Sequence, residues 1–312
     1  MSNLYPFLLT PTLHVKVWGG RKLETEIGKD LPSDEPYGEA WELHDSSTIA
    51  NGEYRGRTVS ELITEQGSAI IGAGFDPSEG MPLLIKFLDA SAWLSVQVHP
   101  NDEQARQLEG DPRGKTEAWM MLATDTDAKL VIGVQSGTSR AAMAEAIRTG
   151  TLEDLLVYAT VQPNDVLYLP ANTIHAVGPG ILLYEVQQSS NMTYRLYDWN
   201  RLGLDGKPRE LHIEKGVQVS NVEALPDITH PTGELIVDGD YFQTLRHQLK
   251  DDSLAFNTDG HFHALTCIAG KVRIEHNVQS CDMNKGQTAL VPAALGAYVL
   301  SGNGTVLRSW MA

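Results

Sequence analysis

The 312-residue sequence contains only two cysteines, Cys267 and Cys281, and neither has a C-x-x-C partner. That excludes a disulfide framework and a thiolate metal site, and leaves two reduced, half-buried thiols as the expectation. No apolar run approaches the roughly 18 residues that a membrane-crossing helix needs. The first nine residues, Met1 to Leu9, lack the basic start and long apolar centre of a secretion signal, so the cytoplasm is the expected location. Basic residues are scarce: 24 Lys and Arg stand against 40 Asp and Glu, for a net charge of −16. Such a chain argues against nucleic acid or an anionic membrane surface as a partner. An anionic small molecule would have to be captured by local cations, because the global field repels it. No glycine-rich phosphate loop is present to help. Nothing marks an obligate protein partner.

What is present is globular. Hydrophobic residues make up 42% and charged residues 21%, enough to build one large or two ordinary domains. The chain is organised around Trp93 to Pro100, a valine-rich alternating stretch that reads as a strand stopped by proline. Residues two apart on a strand share a face, so Gln97 and His99 point the same way. Glu117 follows in the run Lys115 to Trp119. His175 comes after a second strand, Asp165 to Pro170, through a short turn. Gln97, His99, Glu117 and His175 together form an oxygen and nitrogen donor set on a β scaffold. That set suits a first-row divalent metal, with zinc the default. With one anionic ligand the site keeps a residual positive charge, which suits polarising a substrate oxygen.

The pattern resembles the metal site of the cupins, in which a final His follows a Pro-x-[Gly/Asn]-x-x-His turn, matched here by Pro170, Asn172 and His175. With Gln97 in the place of the first His, the site is similar to that of the type I mannose-6-phosphate isomerases. The resemblance extends to Val17 to Gly20, Gly38 to Glu42, Leu84 to Ala90 and Thr193 to Trp199. It implies a mainly β chain of two cupin-like barrel or jelly-roll modules, with a few short helices inserted in the first. It also implies a zinc-dependent aldose–ketose isomerase with one Zn²⁺ per chain. Such an enzyme interconverts mannose 6-phosphate and fructose 6-phosphate through an enediol(ate), moving a proton between C2 and C1. By the same resemblance Lys115, Glu185 and Arg195 are catalytic. Lys86 and Arg201 would bind substrate oxygens or phosphate, and Trp18 and Glu42 would shape the pocket. Lys86 lies among apolar neighbours, so on pattern alone it is either an edge residue or faces a polar cavity. Glu185, Lys115 or a metal-bound hydroxide would each serve as the base. A non-catalytic sugar-phosphate sensor is the alternative reading. A cupin oxygenase is disfavoured by Gln97, since iron sites of that kind rely on His and carboxylate.

Along the chain, residues 4 to 17 read as strand with turn chemistry at Gly19-Gly20, and Trp41 to Leu43 as a second strand. Thr58 and Glu61 form a capping box, and Asn101 or Asp102 can cap a short helix ending before Gly110. Residues 139 to 157 have helical spacing, with Thr151 and Asp154 as a second capping signal. This is the small insertion of a catalytic module spanning residues 1–225. Pro226 to Gly233 is the best linker. Beyond it, short alternating runs at 241–248, 264–268, 271–276, 288–291 and 297–300 suggest a degenerate copy, residues 226–312. There Gly286 to Pro292 repeats the pattern of Asp165 to Pro170, but Ala297 stands where the closing His would be. His261-Phe262-His263 imitates a ligand pair on one face. It has no partner Glu, and an ordinary surface pair is expected.

Overall fold

Runs rich in Val, Ile and Leu become strands, and the computed structural model, which describes residues 4–312, gathers them into two large sheets and two small ones. The first large sheet runs Ile228–Thr229, Val166–Leu169, Glu117–Thr124, Ile181–Gln188, Leu83–Ala90, Tyr37–Leu43, Thr12–Gly20. Ile181–Gln188 and Leu83–Ala90 are inner strands buried at every position, as near-continuous hydrophobic runs require. Lys86 is therefore not an edge residue.

The second large sheet runs Leu235–Asp238, Phe242–Asn257, Ala297–Met311, His263–His276, Thr288–Val291, Phe7–Thr10, Thr48–Ile49, and Gln279–Asn284 pairs with His263–His276. The N-terminal strand Phe7–Thr10 thus joins the sheet formed mostly by the C-terminal third. The two sheets share one core, in which Phe7, Leu43, Phe87, Tyr184, Phe242, Phe262 and Leu307 are all buried. Phe87 and Tyr184 meet edge to face at 6.1 Å, an arrangement that adds about 0.5–1.5 kcal/mol beyond burial. On its other face the seven-stranded sheet packs Leu88, Trp119, Leu167 and Leu183 against Leu94, Leu130 and Val177. Those residues belong to or flank the small sheets, Val96–Val98 with Tyr194–Tyr197, and Ala176–Val177 with Lys129–Val134 and Leu156–Thr160.

Several local expectations hold and several do not. The Thr58 and Glu61 capping box forms, and of the two cap candidates Asn101 is the cap, in a box with Gln104. Helix Arg140–Thr149 ends early. A 3₁₀ turn follows at Leu152–Leu155, Thr151 makes no side-chain cap, and Leu156 already begins a strand. Gly19-Gly20 lies in a strand, not a turn. A Cβ on Gly19 would stand 2.4 Å from the Pro36 carbonyl oxygen, and one on Gly20 2.8 Å from the Asp89 carboxylate, so glycine serves close approach. Part of the expected linker is the edge strand Ile228–Thr229. The short C-terminal runs merge into long strands that absorb register shifts between Lys250 and Asp252 and between Cys267 and Ala269. His263 is buried and bonded to the Tyr298 hydroxyl at 2.8 Å, and only His261 is exposed, so the two are not a surface pair.

Candidate active site

Strand pairing lines up one polar row on the open face of the seven-stranded sheet. Trp41 lies opposite Lys86, Lys86 opposite Glu185, and Glu185 opposite Trp119. Lys86 Nζ is 2.9 Å from Glu185 Oε2, donates to Gln187 Oε1 at 2.7 Å, and sits 5.3 Å from the Trp41 ring centre. Trp119 Nε1 donates to Glu185 Oε1 at 3.0 Å. Burial raises the Glu185 carboxyl most, yet Lys86, Lys115 and these hydrogen bonds together outweigh it and hold it at about 2. Glu185 is thus a fixed carboxylate. Burial works against the Lys86 ammonium, but Glu185 and Glu39 raise its pKa above the usual lysine value.

Glu117 stands on the same face two residues before Trp119 and is completely buried. Facing it from the small sheet, Gln97 lies directly opposite Arg195, and a two-bond bridge joins Gln97 to His175. Three pieces of chain therefore converge on one point. His175 Nε2 lies 3.2 Å and His99 Nε2 3.5 Å from the Glu117 carboxylate, and the three potential ligand atoms fall within 4.8 Å of one another. Each imidazole gives its Nδ1 hydrogen to a carbonyl, His99 to Met192 at 2.8 Å and His175 to Thr173 at 2.9 Å. That fixes both tautomers with the Nε2 lone pair turned inward, as metal-binding histidines require. Burial, with Lys115 adding to it, depresses both imidazoles, His99 well below its ordinary value and His175 to about 3. Both stay neutral.

Glu117 is the clearest sign of a cation site. Neither carboxylate oxygen accepts a well-directed hydrogen bond, although Lys115 Nζ stands 2.6 Å from Oε2 and 3.1 Å from His99 Nε2. Burial pushes the Glu117 carboxyl up to about 7 against the pull of Lys115, with Glu185 adding to the rise. A buried anion this poorly compensated, flanked by two inward lone pairs, fits a divalent ion. The Gln97 amide reaches the same centre, with Nε2 3.2 Å from His175 Nε2.

The cavity beside this centre measures about 280 Å³. Lys86, Lys115, Glu185, Arg195, Gln97 and Trp18 line it. Glu42 and Arg201 are not among its walls. Strand alternation turns Glu42 to the opposite face, where it meets Lys29 at 2.6 Å and accepts from Thr288 at 3.2 Å. Glu39, on the cavity face, takes its place, bonded to Trp41 Nε1 and paired with Lys16 at 3.2 Å. Arg201 is bound to Asp198 at 2.8 Å. Arg209, from the excursion after Trp199, shares Asp198 and lines the cavity instead. Reading the period-two pattern outward from Trp41 would have found Glu39; no sequence signal distinguished Arg209 from Arg201. Five cations, Lys16, Lys86, Lys115, Arg195 and Arg209, line the cavity with Glu39 and Glu185, so it is locally cationic in an acidic protein.

Residues 7–127 match a family model described as phosphomannose isomerase type I, catalytic domain, and residues 232–311 one described as mannose-6-phosphate isomerase, cupin domain. The chain is 32% identical to the mannose-6-phosphate isomerase of Streptococcus mutans over 97% of its own length and 98% of that protein. It is 34% identical to the mannose-6-phosphate isomerase ManA of Bacillus subtilis, over 95% and 96% respectively. The crystal structure of a Bacillus subtilis mannose 6-phosphate isomerase superposes with a TM-score of 0.88 at 31% identity, covering 97% of this chain and 99% of that one. A putative mannosephosphate isomerase from Archaeoglobus fulgidus, at 18% identity and a TM-score of 0.80, shares the fold over 100% of this chain and 99% of its own.

Proposed function

The chain belongs to the type I phosphomannose isomerase family, and from that premise we propose that it interconverts mannose 6-phosphate and fructose 6-phosphate with one zinc ion. The observation that carries the reading is the buried, under-compensated Glu117 between two imidazoles of fixed tautomer, at the base of a cationic cavity. Gln97, His99, Glu117 and His175 are the proposed ligands; a half-turn of the Gln97 amide brings its oxygen to the centre. Mixed oxygen and nitrogen donors without thiolate favour zinc in a catalytic role. A bound cation supplies a Lewis acid for the sugar oxygens.

The chain's own residues supply the rest. The reaction takes a proton from C2 of the aldose and returns one to C1, while the O2 hydroxyl proton passes to O1 and the carbonyl shifts from C1 to C2. Lys115 is assigned to handle that proton at Nζ, because it joins the ligand cluster to the cavity. Glu185, held as a carboxylate by Lys86 and Trp119, anchors the Lys86 ammonium against the sugar oxygens. Arg195 has a buried Nε with no protein partner and is assigned to the charge that develops on the enediolate. Arg209 replaces Arg201 as the cation for the phosphate, oriented by Asp198. We divide the chain near residue 226 into two cupin-like modules, the second borrowing strand Phe7–Thr10. Two free, buried cysteines suit a reducing compartment such as the cytoplasm.

A coupled assay of mannose 6-phosphate turnover on metal-replete protein tests the assignment. Steady production of fructose 6-phosphate is expected. Stoichiometric sugar-phosphate binding without turnover would instead identify a sensor.

A further inference from the structure

Lys115 is held by its backbone as well as by its charge. Gly114 N–H donates to Asp102 Oδ1 at 2.7 Å, Lys115 N–H to the Pro100 carbonyl at 2.9 Å, and Thr116 N–H to Gln188 Oε1 at 2.9 Å. A Cβ on Gly114 would stand 2.4 Å from the Asn101 carbonyl carbon, so the loop lies directly on the segment that follows His99. Asp102 Oδ1 also accepts Gln188 Nε2 at 2.9 Å, which orients the amide that receives Thr116. Thr116 Oγ1 in turn accepts Ala171 N–H at 3.2 Å, at the start of the turn that delivers His175. The Asp102 carboxylate thus bonds the segment after His99 to the one before Glu117, and Thr116 carries the link on to the turn before His175.

The remaining oxygen, Asp102 Oδ2, accepts the Tyr241 hydroxyl at 3.1 Å. Tyr241 immediately precedes the long strand Phe242–Asn257 of the eight-stranded sheet, and the Ala312 amide binds its carbonyl at 2.9 Å. Other polar links between the two sheets, Thr288 to Glu42 and Ser309 to Tyr184, lie in the buried seam on the far face of the seven-stranded sheet. The Tyr241 bond alone among these three ends on Asp102, the first residue of helix Asp102–Glu109, whose other carboxylate oxygen holds Gly114 beside Lys115. Burial, reinforced by Asp102, pushes the Tyr241 phenol up to about 12, so it remains a donor.

We propose that Asp102 is a positioning residue for the isomerase reaction, and that Tyr241 braces it so that the C-terminal sheet sets the placement of Lys115. The proposal rests on the function assigned above to Lys115. It also gives the C-terminal part of the chain a task beyond covering the first.

The test compares metal-replete Asp102→Ala, Asp102→Asn and Tyr241→Phe with the parent protein. The readouts are kcat and KM for mannose 6-phosphate, metal content, melting curves, and hydrogen–deuterium exchange of the peptide spanning residues 110–118. Asp102→Ala is expected to lower kcat by roughly 10–100-fold, since a small misplacement of a group at the reacting atoms can cost about 10²-fold. KM should stay within about threefold and metal content should be unchanged, with faster exchange in the peptide. Asn can still accept from Gly114 and Gln188, so Asp102→Asn should restore most of the rate. Tyr241→Phe should move kcat and exchange the same way by less, and it decides the matter should Asp102→Ala not fold. Parental kcat in Asp102→Ala, a rate loss without faster exchange, or equal damage in Ala and Asn would overturn the proposal. So would unchanged kcat and exchange in Tyr241→Phe. Exchange is read whether or not the parent turns over mannose 6-phosphate, which separates failure of this inference from failure of the assigned function.

Discussion

Arg195, Arg201 and Arg209 follow one another along a single stretch of chain, and their partners separate their roles. Arg201 and Arg209 both direct their guanidinium groups to Asp198. Arg195 gives one nitrogen to the Glu210 carbonyl and leaves Nε buried without a partner beside the cavity. An Arg fork presents several donors in a plane, and a lysine cannot reproduce it. Arg195→Lys should therefore retain metal and melting temperature yet lose about 10²-fold or more in kcat. Lys115→Met keeps the aliphatic stem and removes the charge. It should cost on the order of 10²–10⁴ in kcat, and kinetics near those of the parent would remove Lys115 from the proton transfer. At this scale the sequence was legible where motif spacing fixed a residue's direction and not elsewhere. Gln97, His99, Glu117 and His175 converge as expected. Glu42 does not, because one step along a strand reverses the face, and no local pattern separates Arg201 from Arg209, both of which bind Asp198.

Strands and loops tell a similar story. Alternation identified the strands that bear the site, and the row Trp41, Lys86, Glu185, Trp119 arises from their register, which no single strand encodes. The C-terminal runs looked short because bulges break the alternation while the hydrogen-bond ladder continues past them. His263 shows the same limit: it reads as half of an ordinary surface pair with His261 but lies inside, bonded to Tyr298. Replacing both histidines by alanine should leave metal content and turnover unchanged. It should cost about 1–3 kcal/mol of stability, because the buried Tyr298 hydroxyl loses its partner. Burial, with Arg308 contributing, also holds the His263 imidazole down at about 3. The unfolded value is near ~6.5, so neutral His263 contributes full stability above that pH. The contribution falls as pH drops from there toward 3. Denaturant midpoints between pH 7 and 5 should decline less steeply in the double variant than in the parent.

The whole molecule sets a strongly acidic surface around one cationic cavity. A net charge of −16 repels an anionic sugar phosphate at long range, but screening limits that field to about 8–10 Å at physiological salt. Within the cavity, five lysines and arginines act at short distance. The family and the mainly β fold were legible because their motifs span residues 17–199. How the two large sheets share a core was not, since strand Phe7–Thr10 crosses to the C-terminal sheet by long-range pairing that no local pattern records. In the proposed function the converging imidazoles and carboxylate hold the metal on which isomerisation depends. Metal content and mannose 6-phosphate turnover measured together on the parent, His99→Ala and His175→Ala test it most directly. About one zinc per parent chain is expected, with folded variants that have lost both the zinc and the turnover. Either variant turning over at the parental rate with its zinc still bound would contradict it.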